Sequence, residues 1–254
     1  GPVSLGIFSD YIVRIINSEQ RAVKLEVDDT ILTWAGWDRT LDIRVTGVKI
    51  LRQEGVLIGT VPELSFSLSG GALISGLLAP ESIELFRPHL IISRDHNRID
   101  IGFSDADREI KSISHRLIGL LLEEPNSNNP MSYLSSIEVI NAEITIDDKV
   151  LNKSWVAQPA NINLKRDKIG LVGDVQLTYD INGRKTNITT SIGFQSAARR
   201  IDLTTRFSEI TPEEFSSMFY ELKSLRPFAF PVHGTITAGL SLKGAFEAIS
   251  FDLI

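Results

Sequence analysis

Apolar and polar residues alternate along most of this chain. A period of two runs through Leu25/Val27, Leu41/Ile43/Val45, Leu64/Phe66/Leu68 and Ile99/Ile101/Phe103. It returns in Ile162/Leu164, Val175/Leu177/Tyr179, Ile188/Thr190/Ile192/Phe194, Ile201/Leu203, Ile236/Ala238/Leu240/Leu242 and Ile249/Phe251/Leu253. Successive side chains of a strand point to opposite faces, so each run predicts a strand with one apolar and one polar face. That is the pattern of an antiparallel sheet wet on one side. Asp180-Ile181-Asn182-Gly183-Arg184 predicts a hairpin, because Asn-Gly accepts the positive φ angles of a two-residue turn.

Helical spacing interrupts the strands in four places. Phe8, Tyr11, Ile12, Ile15 and Ile16 fall on one helical face, and Gly71 to Leu78 reads as a short apolar helix stopped before Pro80. Ile110, Ile113, Leu117, Leu120 and Leu121 form a stripe that Pro125 ends. Thr211-Pro212-Glu213-Glu214 combines a capping threonine, proline at the first helical position and glutamate three residues after the cap, predicting a helix to about Lys223.

One phrase recurs. Ser82-Ile83-Glu84-Leu85-Phe86-Arg87-Pro88-His89-Leu90-Ile91-Ile92 is echoed by Ser136-Ile137-Glu138-Val139-Ile140-Asn141-Ala142-Glu143-Ile144-Thr145-Ile146, beginning 54 positions later. Each copy is an alternating strand, a break, and a second alternating strand. Recurrence at such a period predicts stacked β-units in preference to a compact enzyme core. The break residues, Arg87-Pro88 and Asn141, mark bends that curl the sheet. The polar, breaker-rich segment from Glu124 to Pro130 predicts a linker, with a first unit over about 1–124 and a second over about 131–254 of one continuous elongated sheet.

Composition narrows the function. With 26 Lys and Arg against 32 Asp and Glu, the net charge of −6 opposes nucleic-acid binding, which needs a basic face. The absence of cysteine removes disulfides, zinc-thiolate sites and cysteine nucleophiles. No run of about 18 apolar residues is present to span a bilayer. Gly1-Pro2 reads as a protease scar or as native sequence, and the closing strand Ile249 to Leu253 has no turn after it. The chain is therefore read as a fragment of a longer protein.

Catalytic constellations are weak. His89, His96, His115 and His233 lack metal-ligand spacing. Asp28-Asp29 and Asp147-Asp148 sit at strand ends, where aspartate satisfies turn amides. Gly70-Gly71 lacks the lysine of a phosphate loop, and Arg199-Arg200 reads as a solvated pair at a strand start. No nucleophile-base pair, metal or cofactor is expected.

Three segments together resemble a known family. They are Val27-Asp28-Asp29-Thr30-Ile31-Leu32-Thr33-Trp34, Val61-Pro62-Glu63-Leu64-Ser65-Phe66-Ser67-Leu68 and Leu78-Ala79-Pro80-Glu81-Ser82-Ile83-Glu84-Leu85, with Asp147-Asp148, Trp155 and Asn161-Ile162-Asn163-Leu164 following in the second copy. In this order they are similar to the N-terminal periplasmic part of AsmA-like, YhdP-type proteins of Gram-negative bacteria. The resemblance spans nearly the whole chain and rests on the order of weak patterns, with no signature residue. It implies repeating β-groove units with an apolar concave face, an inner-membrane anchor through an N-terminal transmembrane helix, and conduction of phospholipid towards the outer membrane.

The expectation is thus a mostly β, elongated, curled antiparallel sheet, taco-like, with a few helices capping or flanking it. Its expected groove lining is Leu41, Ile43, Val45, Leu64, Phe66, Leu68, Leu85, Leu90, Ile92, Ile137, Val139, Ile144, Ile146, Leu177, Ile192, Phe194, Leu240 and Leu242. On this reading, aspartate at Ile137 and Ile144 abolishes lipid crosslinking in a protein that still folds. Alternation alone serves a closed β core equally well, which makes a structural or interaction module of the cell envelope the alternative.

Overall fold

The computed structural model describes residues 3–4, 23–34, 41–52, 54–95, 98–102, 119–149, 152–168, 170–181, 184–197, 200–218, 224, 227, 230–241 and 246–253. The helical face of Phe8, Tyr11, Ile12, Ile15 and Ile16, the positions Phe103, Ile110, Ile113 and Leu117, the Asn182-Gly183 turn and Leu242 lie outside the described residues.

The expected fold class holds: the chain is mostly β, in one open sheet, with only short helices among the described residues. It divides into two compact units, Gly1–Ile91 with Ile101–Ala142, and Ile92–Asp100 with Glu143–Ile254. The segment 124–130, expected as a linker, lies inside the first unit, and β9 belongs to both.

The first unit is built on β1 (Val3–Ser4), β2 (Val23–Glu26), β3 (Asp29–Trp34), β4 (Leu41–Arg52), β5 (Leu57–Leu68), β6 (Pro80–Phe86) and the start of β9 (Ser136–Asp148). Their hydrogen-bonded order is β1-β3-β4-β5-β6-β9, with β2 also on β4. Between β6 and β9 the chain forms β7 (His89–Asp95), which pairs with β9 and with β8 (Arg98–Gly102).

The recurring phrase has a direct structural meaning. β6 and β9 pair in parallel, Ser82 with Ser136, Ile83 with Ile137, Glu84 with Glu138, Leu85 with Val139 and Phe86 with Ile140. The two copies lie side by side in register, so like residue meets like residue across the ladder. This parallel pair stands in a sheet expected to be mostly antiparallel: parallel neighbours need a long crossover, which β7, β8 and the segment to Ser135 supply. Ser135 reaches back to the Glu81 carbonyl with its amide (2.8 Å) and its hydroxyl (3.1 Å), holding the two starts level.

The core of the first unit comes from two rows of register partners. Ile43, Phe66, Ile83 and Ile137 make one; Val45, Leu64, Leu85 and Val139 make the next. All are buried except Leu85, which is half-buried. Along each of these strands the buried positions then change phase: Val45 to Val48, Val61 to Leu64, Leu85 to Pro88, and Val139 to Ala142. Three of the changes sit on residues with left-handed backbone, Gly47 (φ 61°), Arg87 (φ 53°) and Asn141 (φ 54°). A single residue in that conformation resets the alternation and bends the strand, so residues of both phases are turned inward.

These breaks are neighbours. The register places Gly47 opposite Pro62 and Pro62 level with Arg87, and the Arg87 amide donates to the Ile140 carbonyl beside Asn141 (2.8 Å). Gly47 has a second constraint, because a Cβ there would overlap the Asp28 carboxylate. The bends read at Arg87-Pro88 and Asn141 are thus two points on one crease that crosses the unit from strand to strand.

The second unit continues from the end of β9 through β10 (Lys153–Asp167), β11 (Gly170–Ile181), β12 (Arg184–Gln195), β13 (Arg200–Ile210), β14 (Val232–Ser241) and β15 (Phe246–Leu253), each antiparallel to the next from β10 onward. Ile181 pairs with Arg184, so β11 and β12 form the expected hairpin. After β13 comes the helix Pro212–Met218. The Glu214 carboxylate accepts from the Thr211 amide (2.7 Å), and the Glu214 amide donates to the Thr211 hydroxyl (3.1 Å), the reciprocal capping predicted from Thr211-Pro212-Glu213-Glu214.

Candidate functional site

Register in the second unit sorts most residues onto an apolar and a polar face, with Arg166, level with Leu171, among the apolar positions and Val172, level with Lys165, among the polar ones. One face carries Ile162 and Leu164 of β10, Val175 and Leu177 of β11, Ile188, Ile192 and Phe194 of β12, Ile201 and Leu203 of β13, Ile236 and Ala238 of β14, and Ile249 and Phe251 of β15. The opposite face carries Asn161, Asn163, Asp174, Gln176, Asn187, Ser191, Asp202, Thr204, Arg206, Thr235, Thr237, Ser250 and Asp252. An apolar surface is therefore continuous across six strands, and its reverse is a wet polar one.

Two threonines interrupt the apolar side. Thr190 and Thr205 are register partners, and their hydroxyls bond each other at 3.0 Å. One hydroxyl donates and the other accepts, so the pair meets one of its two O–H donors within the face.

One end of this face is closed. Phe207, Ile210 and Val232 form a buried cluster with Ile188 and Ile236 packed against it, where β13 shifts register between Phe207 and Ile210 before the capped helix. Thr186 is buried there and its hydroxyl donates to the Ser208 carbonyl. Burial, followed by the negative charge of Glu214 and Asp180, pushes the Tyr179 hydroxyl above its ordinary value. Away from that end Ile162, Leu164, Val175, Leu177, Ile192, Phe194, Ile201 and Leu203 are only half-buried, while Ile249 and Phe251 are 46% and 47% exposed.

The expected groove residues divide accordingly. Ile43, Val45, Leu64, Phe66, Leu68, Leu90, Ile137 and Val139 are buried in the first unit, between 1% and 8% exposed, with Leu85 half-buried beside them. Leu41 holds the register position opposite Trp34. In the second unit Ile144 is buried, and Ile92, Ile146, Leu177, Ile192 and Phe194 are half-buried. Leu240 sits opposite Ile201 on the apolar face. Register thus brings Leu177, Ile192, Phe194 and Leu240 onto one face, and adds Val175, Ile188, Ile201, Leu203 and Ile236. Their alternation was visible in sequence, but nothing local told a half-open face from a packed one. The aspartate test at Ile137 and Ile144 moves for the same reason: both are at most 7% exposed, so a carboxylate there breaks the fold.

Of the candidate polar sites, Asp148 is buried at the end of β9, 2% exposed, against its reading as a turn group, while the following ones behave as turn and surface groups. The Asp29 carboxylate accepts from the Thr30 amide (2.7 Å), and Asp28 pairs with Lys49 (3.2 Å). Arg200 pairs with Asp202 (2.7 Å) on the polar face, and His89 and His233 are exposed. Among the described residues no cluster of His, Asp and Glu is arranged to hold a metal ion, and no helix is long and apolar enough to cross a membrane.

Comparison with protein-family models, with curated proteins and with solved structures finds no match to this chain.

Proposed function

We propose that the apolar face of β10–β15 holds the acyl chains of phospholipid. The observation that carries this reading is the half-exposed, largely aliphatic, six-strand face backed by a largely polar one. Burial of hydrocarbon is worth about 0.8 kcal/mol per methylene, so roughly ten buried methylenes gain about 8 kcal/mol against the cost of association. Branched aliphatics with few aromatics give a lining that accepts chains without choosing among them closely. Together with the family resemblance, this points to a periplasmic segment of an inner-membrane-anchored, bridge-like protein that conducts phospholipid towards the outer membrane. No enzymatic step and no cofactor enter this function.

The test is mass spectrometry of organic extracts from the purified chain, with photo-crosslinkable phosphatidylethanolamine as the probe. Retained phospholipid and crosslinks in the unaltered chain, both lost in Ile192→Asp with its circular dichroism unchanged, are the expected result. An unaltered chain without lipid or crosslink overturns the reading.

The buried rows of the first unit favour the second reading for that unit. There the β core is closed and serves as a structural or interaction module of the envelope.

A further inference from the structure

One charged residue stands on the apolar face where the ladder calls for an aliphatic one. From the row of Leu171 to the row of Tyr179, the face of β10–β15 carries Arg166 and no other charge among the described residues. Its row runs Arg166, Leu171, Phe194, Ile201. Leu171 is 5% exposed, while Arg166, Phe194 and Ile201 are half-buried. The neighbouring charges of β10 do not share the position. Lys165 is exposed on the polar reverse, and the Asp167 carboxylate accepts from the Lys168 amide (2.7 Å) at the turn into β11. Arginine lays its stem along apolar side chains and keeps its charged head at their edge. The position therefore suits an amphiphile, with hydrocarbon on the face and an oxyanion at its rim.

The two ends of the face differ in charge as well as in closure. At the Tyr179 end the cluster of Phe207, Ile210 and Val232 closes the surface. Burial, and after it the Glu214 and Asp180 carboxylates, raise the Tyr179 value, so that end is apolar and negative. At the Arg166 end the charge on the face is positive. From Leu171 to Tyr179 the ladder runs eight residues in unbroken register, about 26 Å at about 3.3 Å per residue. A bilayer with its headgroups is about 40–45 Å thick, so one phospholipid of a leaflet is about 20–22 Å long. The face has room for one lipid lying between the closed end and a headgroup at Arg166.

We propose that Arg166 binds the phosphate of phospholipid, so that the headgroup lies at the β10–β11 turn and the chain ends lie against Phe207, Ile210 and Val232. The assignment rests on the acyl-chain reading and adds to it an orientation and a headgroup class. The guanidinium fork meets two phosphate oxygens at once, which an ammonium does not. The reverse orientation sets a phosphate against the carboxylates at the Tyr179 end. A fatty-acid carboxylate shares this chemistry, an oxyanion at the end of hydrocarbon. Six strands about 4.8 Å apart give the width for two chains side by side, which favours the phospholipid.

Competition for the purified chain tests this. Photo-crosslinkable phosphatidylethanolamine should be displaced severalfold better by unlabelled phosphatidylethanolamine than by dioleoylglycerol, which lacks the phosphate, or by oleate. Arg166→Gln should lose the preference over dioleoylglycerol and Arg166→Lys should keep part of it. Lys165→Gln, one residue away on the reverse face, should keep all of it. In the unaltered chain a diazirine at the acyl-chain end should mark the peptides that hold Phe207 and Val232, and one on the headgroup the peptide that holds Arg166. This map needs no variant, so it decides even where Arg166→Gln unfolds. An unchanged preference in a folded Arg166→Gln chain, a reversed map, or oleate as the better competitor overturns the inference and leaves the acyl-chain reading standing. An unaltered chain that takes up no lipid overturns both.

Discussion

The buried rows of the first unit and the apolar face of the second are made of the same residue types at the same period of two, yet they end differently. Ile43, Val45 and Phe66 are at most 3% exposed, whereas Val175, Ile192 and Leu203, alike in kind and also in mid-sheet, are half-buried. What separates the units is the behaviour of the backbone. In the first, Gly47, Arg87 and Asn141 reset the alternation on strands joined through β5, so residues from both phases are turned to one interior. In the second, β11 and β12 run in unbroken register from Gly170 to Gln195 and present a single phase along their length. A creased sheet buries its own apolar surface; an uncreased one leaves a face for something else.

The largest effect that would break this comparison is on core truncation. Phe66→Ala should cost about 3–5 kcal/mol, as for other fully packed aromatic side chains. Ile192→Ala, at a half-open position, should cost well under half as much, about 1 kcal/mol. Urea unfolding of the two variants measures both, and equal costs would mean that the faces are equally packed.

Next comes the crease. Asn141 tolerates left-handed backbone and valine does not, so Asn141→Val should destabilise by about 1–3 kcal/mol. Asn141→Gly should be close to neutral. Equal midpoints for the two variants would sink the role given to this residue.

The closed end of the second unit sharpens the contrast from the other side. Removing the reciprocal cap with Thr211→Ala should cost about 1 kcal/mol. It should also speed hydrogen exchange in the helix Pro212–Met218 before any change in Phe66 packing.

The smallest effect is a pH dependence at that end. Burial and the nearby carboxylates raise the folded Tyr179 value above the ordinary 10.0, so the folded state holds this proton more tightly than the unfolded chain does. The resulting stability is fully present below pH 10, declines as pH rises through the folded value, and should be absent from the pH profile of Tyr179→Phe. Thermal unfolding at a series of alkaline pH values checks it.

Local rules made part of this legible in advance. Strand positions, the Asp180–Arg184 hairpin and the cap at Thr211 are set by residues near one another in the chain, through side-chain period, the turn preference of Asn-Gly and reciprocal capping. The break at Arg87-Pro88 and its echo at Asn141 were readable for the same reason, since alternation changes phase there. That the two copies pair in parallel was not readable. Identical phrases are equally compatible with stacking in succession, and only the crossover through β7 and β8 puts them side by side.

By itself, then, the sequence determined the strands, their two-faced character and the repeat, because each depends on neighbours a few residues away. Tertiary structure decided the in-register ladder, the alignment of separate breaks into one crease, and which of two equally apolar faces is filled. Burial is a property of what packs against a residue, and an alternating run states only which way that residue points.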